Sequence, residues 1–292
     1  MKKAILSLVF LAISSSFIFA QEITDTGKQY TVKSNNLTMT INENGGRISS
    51  FKLGGQEVLS QTPEPNSWGS TFWTSPQAQW GWPPVAEFDS MPYNVIERDG
   101  SIIMISRTSE KLGLKVVKEF YADEKDDCIV VNYMIFNETN EDKQVAPWEI
   151  SRVPSKGLIL IDAPLDKITK AQGELLPFTS KYGLSWYKFD VTEQNRKINA
   201  DGQGWLAYTY DGLLLLKKFE NLKEGMPAPR EAEIQVYVNK GSTYTELESQ
   251  GEFAVLKPGE RLEWAVRWYL KPNKLGEEPA EALAKYALKF VK

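Results

Sequence analysis

Short apolar runs recur along most of the chain, several alternating with polar neighbours at the period of two that buries one face of a strand. In NNLTMTI, Leu37, Met39 and Ile41 alternate in this way. SIIMISRT, LKVVKEFYA, CIVVNYMIFN and GLILIDAP are β-branched or aromatic runs separated by turn clusters such as ERDGS, ADEKDD and NETNEDK. Asp211-Gly212 between the apolar runs of GWLAYTYDGLLLLKKF predicts a hairpin, and Pro258-Gly259 in FAVLKPGERLEWAVRWYL predicts a second. There is no strand–helix alternation, no heptad and no repeat of fixed period. Many short strands joined by polar turns predict an all-β chain of antiparallel sheet packed on sheet. One helix is expected, at the end. Glu278-Pro279 opens it, and Leu283, Tyr286, Ala287 and Phe290 recur at helical spacing to form an apolar stripe.

The first residues change the picture of where the chain works. Met1-Lys2-Lys3 is a basic start, Ala4 to Leu11 opens an apolar run, and Phe17 to Ala20 closes it before Gln21. This pattern predicts a signal peptide over residues 1–20 and one domain over 21–292, exported to the periplasm or secreted. The run is short and interrupted by serines, so no membrane span is expected in the mature chain; a retained N-terminal anchor is the alternative. No cysteine follows the run to carry a lipid.

The 292 residues are 42% hydrophobic and 25% charged, ordinary for a globular domain with a large core. Losing the first 20 residues removes two lysines and takes the net charge from −4 to −6. That balance offers no basic footprint for nucleic acid. The single cysteine, Cys128, excludes an internal disulfide and reads as a small buried hydrophobe. The chain contains no histidine. Ser-His-Asp and Cys-His chemistry are therefore excluded, and no zinc site, other metal or cofactor is expected.

One segment resists the strand pattern. STFWTSPQAQWGWPP, residues 70–84, carries Trp73, Trp80 and Trp82 among prolines and glycine, and it reads as a loop. The rings either cap one end of the core or stand around a cleft. In the second case flat indole faces would stack on sugar C–H faces for about 0.5–1.5 kcal/mol each, on the scale of aromatic pairs.

Several motifs fall into a familiar order. NENGGRISSFKLGGQEVL resembles the opening hairpin of the galactose mutarotase-like superfamily, turning at Gly45-Gly46. VVNYMIFNETNEDKQVAPWEISRV resembles its central strand and loop, and TELESQGEFAVLKPGERLEWAVRWYL its closing segment. FWTSPQAQWGWPP resembles a signature of an uncharacterised exported bacterial branch. The resemblance implies an antiparallel β-supersandwich with a short C-terminal helix and a sugar-binding concave face. Mutarotases of the superfamily interconvert aldose anomers, with a glutamate as base and a histidine as acid. The base position falls on Glu248. The acid position falls within Pro147-Trp148-Glu149, where Trp148 or Glu149 replaces histidine.

This departure leaves Glu248 and Glu149 as the candidate acid–base pair. The expected ligand-contacting set is Trp73, Trp80, Trp82, Arg47, Glu246, Trp148 and Arg152. Glu246 and Glu248 are two residues apart and share one strand face. Arg47 follows the glycine turn and could fork onto a carboxylate or sulfate. Lys217 and Lys218 take opposite faces, so at most one meets a cleft. Trp186, Tyr187 and Trp205 read as core. The functional expectation is an exported saccharide-binding protein without conventional mutarotase chemistry. The alternatives are an epimerase or other carbohydrate-active enzyme using Glu248 with a non-histidine acid, and an assembly role in which the rings form a protein interface.

Overall fold

The computed structural model describes residues 27–62 and 67–292. The expected signal segment and its cleavage point lie outside the described residues. Among them, strands form two antiparallel sheets of 11 and 10 members, with the main core between the sheets. The main path of the first sheet runs Gln29–Ser34, Leu37–Asn42, Arg47–Leu53, Ser70–Ser75, Lys143–Val153, Thr245–Gln250, Ile234–Val238, Arg196–Ala200 and Ile168–Gln172. The centre of the second runs Trp205–Tyr210, Leu213–Lys218, Arg261–Pro272, Cys128–Asn137 and Leu114–Asp123.

The alternating pattern buries as it predicts: Leu37, Met39 and Ile41 enter the core between the sheets. Trp205–Tyr210 pairs with Leu213–Lys218 across Asp211 and Gly212, both at positive φ (50° and 75°), as the twist of a two-residue hairpin requires. Gly45-Gly46 joins Leu37–Asn42 to Arg47–Leu53. A Cβ on Gly45 would lie 2.0 Å from the carbonyl oxygen of Asp89, so only glycine fits there.

Two expectations are corrected. Pro258-Gly259 does not close a hairpin. Ala254–Leu256 pairs with Lys143–Val145, while Arg261–Pro272 pairs with strands of the second sheet, so the turn carries the chain from one sheet to the other. Residues 70–84 are also not all loop. Ser70–Ser75 is a strand buried on both faces, which removes the polar alternation that marks a half-exposed strand. Phe72 stacks on Tyr133 at 4.3 Å inside the core, and Trp73 takes the opposite face. A 3-10 turn, Gln77–Gln79, follows.

The C-terminal helix, Glu281–Ala287, starts two residues after Pro279 and ends before Phe290, the last residue of the stripe. Leu283, Ala284 and Ala287 cover a second apolar cluster on the outer face of the second sheet, where Cys128, Trp186 and Trp205 lie buried. Tyr187 faces the other way, into the main core. No helix among the described residues is long and apolar enough to cross a membrane.

Candidate functional site

The Lys143–Val153 strand lies at the middle of the first sheet, and its register with its neighbours builds a cleft. Arg152 pairs with Glu246, Glu246 with Tyr237, Tyr237 with Lys197 and Lys197 with Gln172. Directly opposed residues share a sheet face, so these side chains form one row across five strands. Trp148 pairs with Trp73 on one side and Gln250 on the other. Row and rings, together with Gln77, Trp82 and Tyr244, line a cleft of about 350 Å³. That is within the usual range for a small-molecule site.

One wall is a cluster of indoles. Trp73 packs edge-on against Trp148, Trp80 and Trp82, with centroids 5.4, 5.7 and 6.2 Å away. Its indole N–H donates to Asp89 Oδ1 at 2.8 Å, which holds the ring's orientation. Trp82 is 67% exposed and presents the most open ring of the cluster. Trp80 does not reach the cleft. It is buried, donates its N–H to the Thr74 carbonyl at 2.7 Å, and its own carbonyl accepts from the Lys111 ammonium. Its role is to support Trp73 from behind.

The floor is charged. Arg152 Nε donates to Glu246 Oε1 at 3.0 Å and its Nη1 to Thr71 Oγ1 at 3.1 Å. The guanidinium lies over the Trp73 ring, 5.7 Å from its centroid. Glu248 sits just beneath and is only 1% exposed. Its Oε2 accepts from Lys197 Nζ at 2.8 Å and from the Trp148 indole at 2.9 Å. Its Oε1 is buried without a hydrogen-bond partner. Burial pushes the Glu248 carboxyl up to about 7, with Glu246 adding to the rise and Lys197 and the Trp148 N–H opposing it. A carboxyl near neutrality beside an ammonium can hold or pass a proton at ordinary pH.

The structure thus brings together Trp73, Trp82, Trp148, Arg152 and Glu246 around one hollow, with Glu248 under it. It does not bring Glu149 or Arg47. Neighbouring strand residues point to opposite faces, so Glu149, next to Trp148, turns into the core and is fully buried. There it accepts from Tyr133 Oη at 2.6 Å, Lys217 Nζ at 2.9 Å and Trp268 Nε1 at 3.3 Å. Lys217 comes from the second sheet and also donates to Ser151 Oγ and the Leu247 carbonyl. The pair ties the sheets together and has no access to the cleft, so Glu149 cannot act on a ligand there. Lys218, on the opposite face, donates to the Lys292 carbonyl. Arg47 is buried against Asp89 at 3.6 Å, under the Trp68 ring, and supports the aromatic segment from inside.

Lys197, Tyr237, Tyr244, Gln172 and Gln77 complete the cleft and were not singled out in the sequence. The signal existed for two of them. RKINA and IQVYV alternate polar with apolar positions, and the polar face is the one that carries Lys197 and Tyr237. Nothing local says whether such a face meets bulk water or a concavity. Among the described residues, no group of three or more cysteine or acidic side chains is placed to hold a metal ion.

No family model matches the chain, and no curated protein does. Solved structures do. A TPR-domain containing protein from Parabacteroides distasonis aligns with a TM-score of 0.62 at 12% identity, over 87% of this chain and 48% of that one. A galactose mutarotase-like protein from Lactobacillus casei aligns with a TM-score of 0.59 at 12% identity, over 84% of this chain and 100% of that one. A galactose 1-epimerase from Lactobacillus acidophilus aligns with a TM-score of 0.53 at 11% identity, over 84% and 94%. With two antiparallel sheets, a cleft on the face of one and a helix on the outside of the other, the chain has the galactose mutarotase-like fold.

Proposed function

We propose that this chain is an exported carbohydrate-binding protein whose ligand lies in the cleft between the indole wall and the Arg152–Glu246 row. One observation carries the reading: Trp82 stays two-thirds exposed at the edge of a hollow whose floor is polar and charged. A large exposed indole beside paired donors and acceptors suits a polyol, which offers apolar C–H faces and hydroxyl edges at once. The fold, shared with structures named for galactose, points to the same ligand class. Export rests on the pattern of residues 1–20 alone, and a mature mass beginning at Gln21 would support it.

Binding is favoured over turnover because Glu248 is covered. Trp148 and Lys197 occupy one of its oxygens and the other is buried. Titration calorimetry over a saccharide panel tests the reading. Heat of binding that Trp82→Ala weakens, with folding intact, is the expected result; no saccharide binding at millimolar concentration would overturn it.

The second reading is an epimerase in which Glu248 exchanges protons with the help of Lys197. The neutral-range carboxyl 2.8 Å from an ammonium favours it. Anomer-exchange NMR would then show catalysis that Glu248→Gln abolishes.

A further inference from the structure

The cleft has a second aromatic surface, and its position bears on the length of the ligand. Tyr237 and Tyr244 both line the hollow, with ring centroids 6.2 Å apart. Tyr237 stands on Ile234–Val238 and Tyr244 immediately precedes Thr245–Gln250, at the end of the same hairpin. Trp73 stands on Ser70–Ser75. Two strands, Lys143–Val153 and Thr245–Gln250, separate that strand from the one bearing Tyr237. Three strand spacings amount to about 14 Å along the sheet. The Arg152–Glu246 ion pair lies between the two aromatic surfaces. Trp73 pairs with Trp148, four residues along the strand from the Arg152–Glu246–Tyr237 row, so Trp73 and the tyrosines stand diagonally apart on one face, with hydrogen-bonding groups between them.

A single pyranose ring stacks on one platform and leaves the other uncovered. A chain of two or three sugar rings laid obliquely over the strands covers both, and sets its glycosidic junction over Arg152 and Glu246. Both ends of such a ligand would meet flat apolar surface, and its middle would meet a fork of donors beside a carboxylate.

We infer that the cleft holds an oligosaccharide of at least two units, with the corner formed by Trp82 and Trp73 against one ring and Tyr237 and Tyr244 against the next. The inference rests on the carbohydrate-binding reading and goes beyond it in naming ligand length. Tyr244 is a length-specificity residue in this arrangement, because it touches only the second ring.

Calorimetry with matched ladders tests it: glucose to cellotriose, glucose to maltotriose, xylose to xylotriose and N-acetylglucosamine to its trimer. The expected result is that affinity rises about three- to tenfold from one unit to two in the ladder that binds, the worth of one added ring contact. Tyr244→Ala should bring the affinity of the dimer down toward that of the monosaccharide, while Trp82→Ala weakens every member. Tyr244→Leu, which keeps apolar bulk but not the aromatic face, should behave like Tyr244→Ala if both fold. A monosaccharide that binds as tightly as its dimer, and that Tyr244→Ala weakens, would mean one ring sandwiched between the platforms. That outcome overturns the length inference and leaves sugar binding standing. No binding by any ladder member would overturn both.

Discussion

The ammonium of Lys197 stands 2.8 Å from the carboxyl of Glu248, and the same ammonium lies over the Trp148 ring, 4.9 Å from its centroid. Glu248 is thus held between a cation and an indole donor beneath the cleft floor. Lys197 is the partner that stands beside the glutamate in a chain without histidine, and its position supports tight placement of Glu248 whether or not a proton moves.

Stability should fall with rising pH through this carboxyl. Burial raises the Glu248 pKa from 4.5 to about 7 in the folded chain, so the folded state holds the proton more tightly than the unfolded one. The contribution is complete below about pH 4.5 and is lost as pH climbs to about 7, at up to about 1.4 kcal/mol per pH unit. Glu233, buried and raised to about 7 while accepting from the Gly204 and Leu222 amides, adds a second loss in the same window. Glu248→Gln should flatten the slope in urea unfolding measured from about pH 4.5 to about 7. An unchanged slope would mean that burial does not govern this group.

The Glu149–Lys217 pair should be structural. Burial lowers the Lys217 pKa while Glu149 opposes the shift, and each group has three partners among its neighbours. Lys217→Met leaves a carboxylate unpaired in the core and should cost about 3–5 kcal/mol in chemical unfolding. Adding Glu149→Leu should recover much of that loss. Saccharide affinity in the folded double variant should match the parent protein, because neither group faces the cleft.

Trp82 and Trp80 should separate binding from stability. Trp82→Ala removes an exposed ring and should change unfolding free energy by no more than about 0.5 kcal/mol, while lowering saccharide affinity several-fold. Trp80→Ala empties a buried site and should cost about 3–5 kcal/mol. Equal losses of stability from the two variants would place Trp82 in the core rather than at the ligand.

Asp89 should act through Trp73. It accepts the Trp73 indole N–H and pairs with Arg47, and it has no place on the cleft lining. Asp89→Asn keeps an acceptor oxygen and should retain most of the ligand affinity at some cost in stability. Asp89→Ala releases the ring and should weaken binding as well. Calorimetry beside thermal unfolding distinguishes the two effects, since a purely structural role would lower the melting temperature in both variants without dividing their affinities.

The strands were legible from the order of residues alone, because alternation, β-branched runs and the Asp211-Gly212 turn are local facts of sterics and burial. So were the terminal helix, the absence of imidazole chemistry and the resemblance to the mutarotase-like fold. Which residues meet at the cleft depends on how the sheets pack. A strand's period tells that Trp148 and Glu149 point to opposite faces, yet not which face is the core. That choice sent Glu149 to Lys217 and Trp148 to Glu248. Ser70–Ser75 hid its strand character because both its faces are covered, one by the core and one by the cleft wall. Lys197 and Tyr237 were legible as the polar side of their strands, and became site residues only because the sheet curves that side into a hollow shared with Trp73, some 120 residues or more away in the chain.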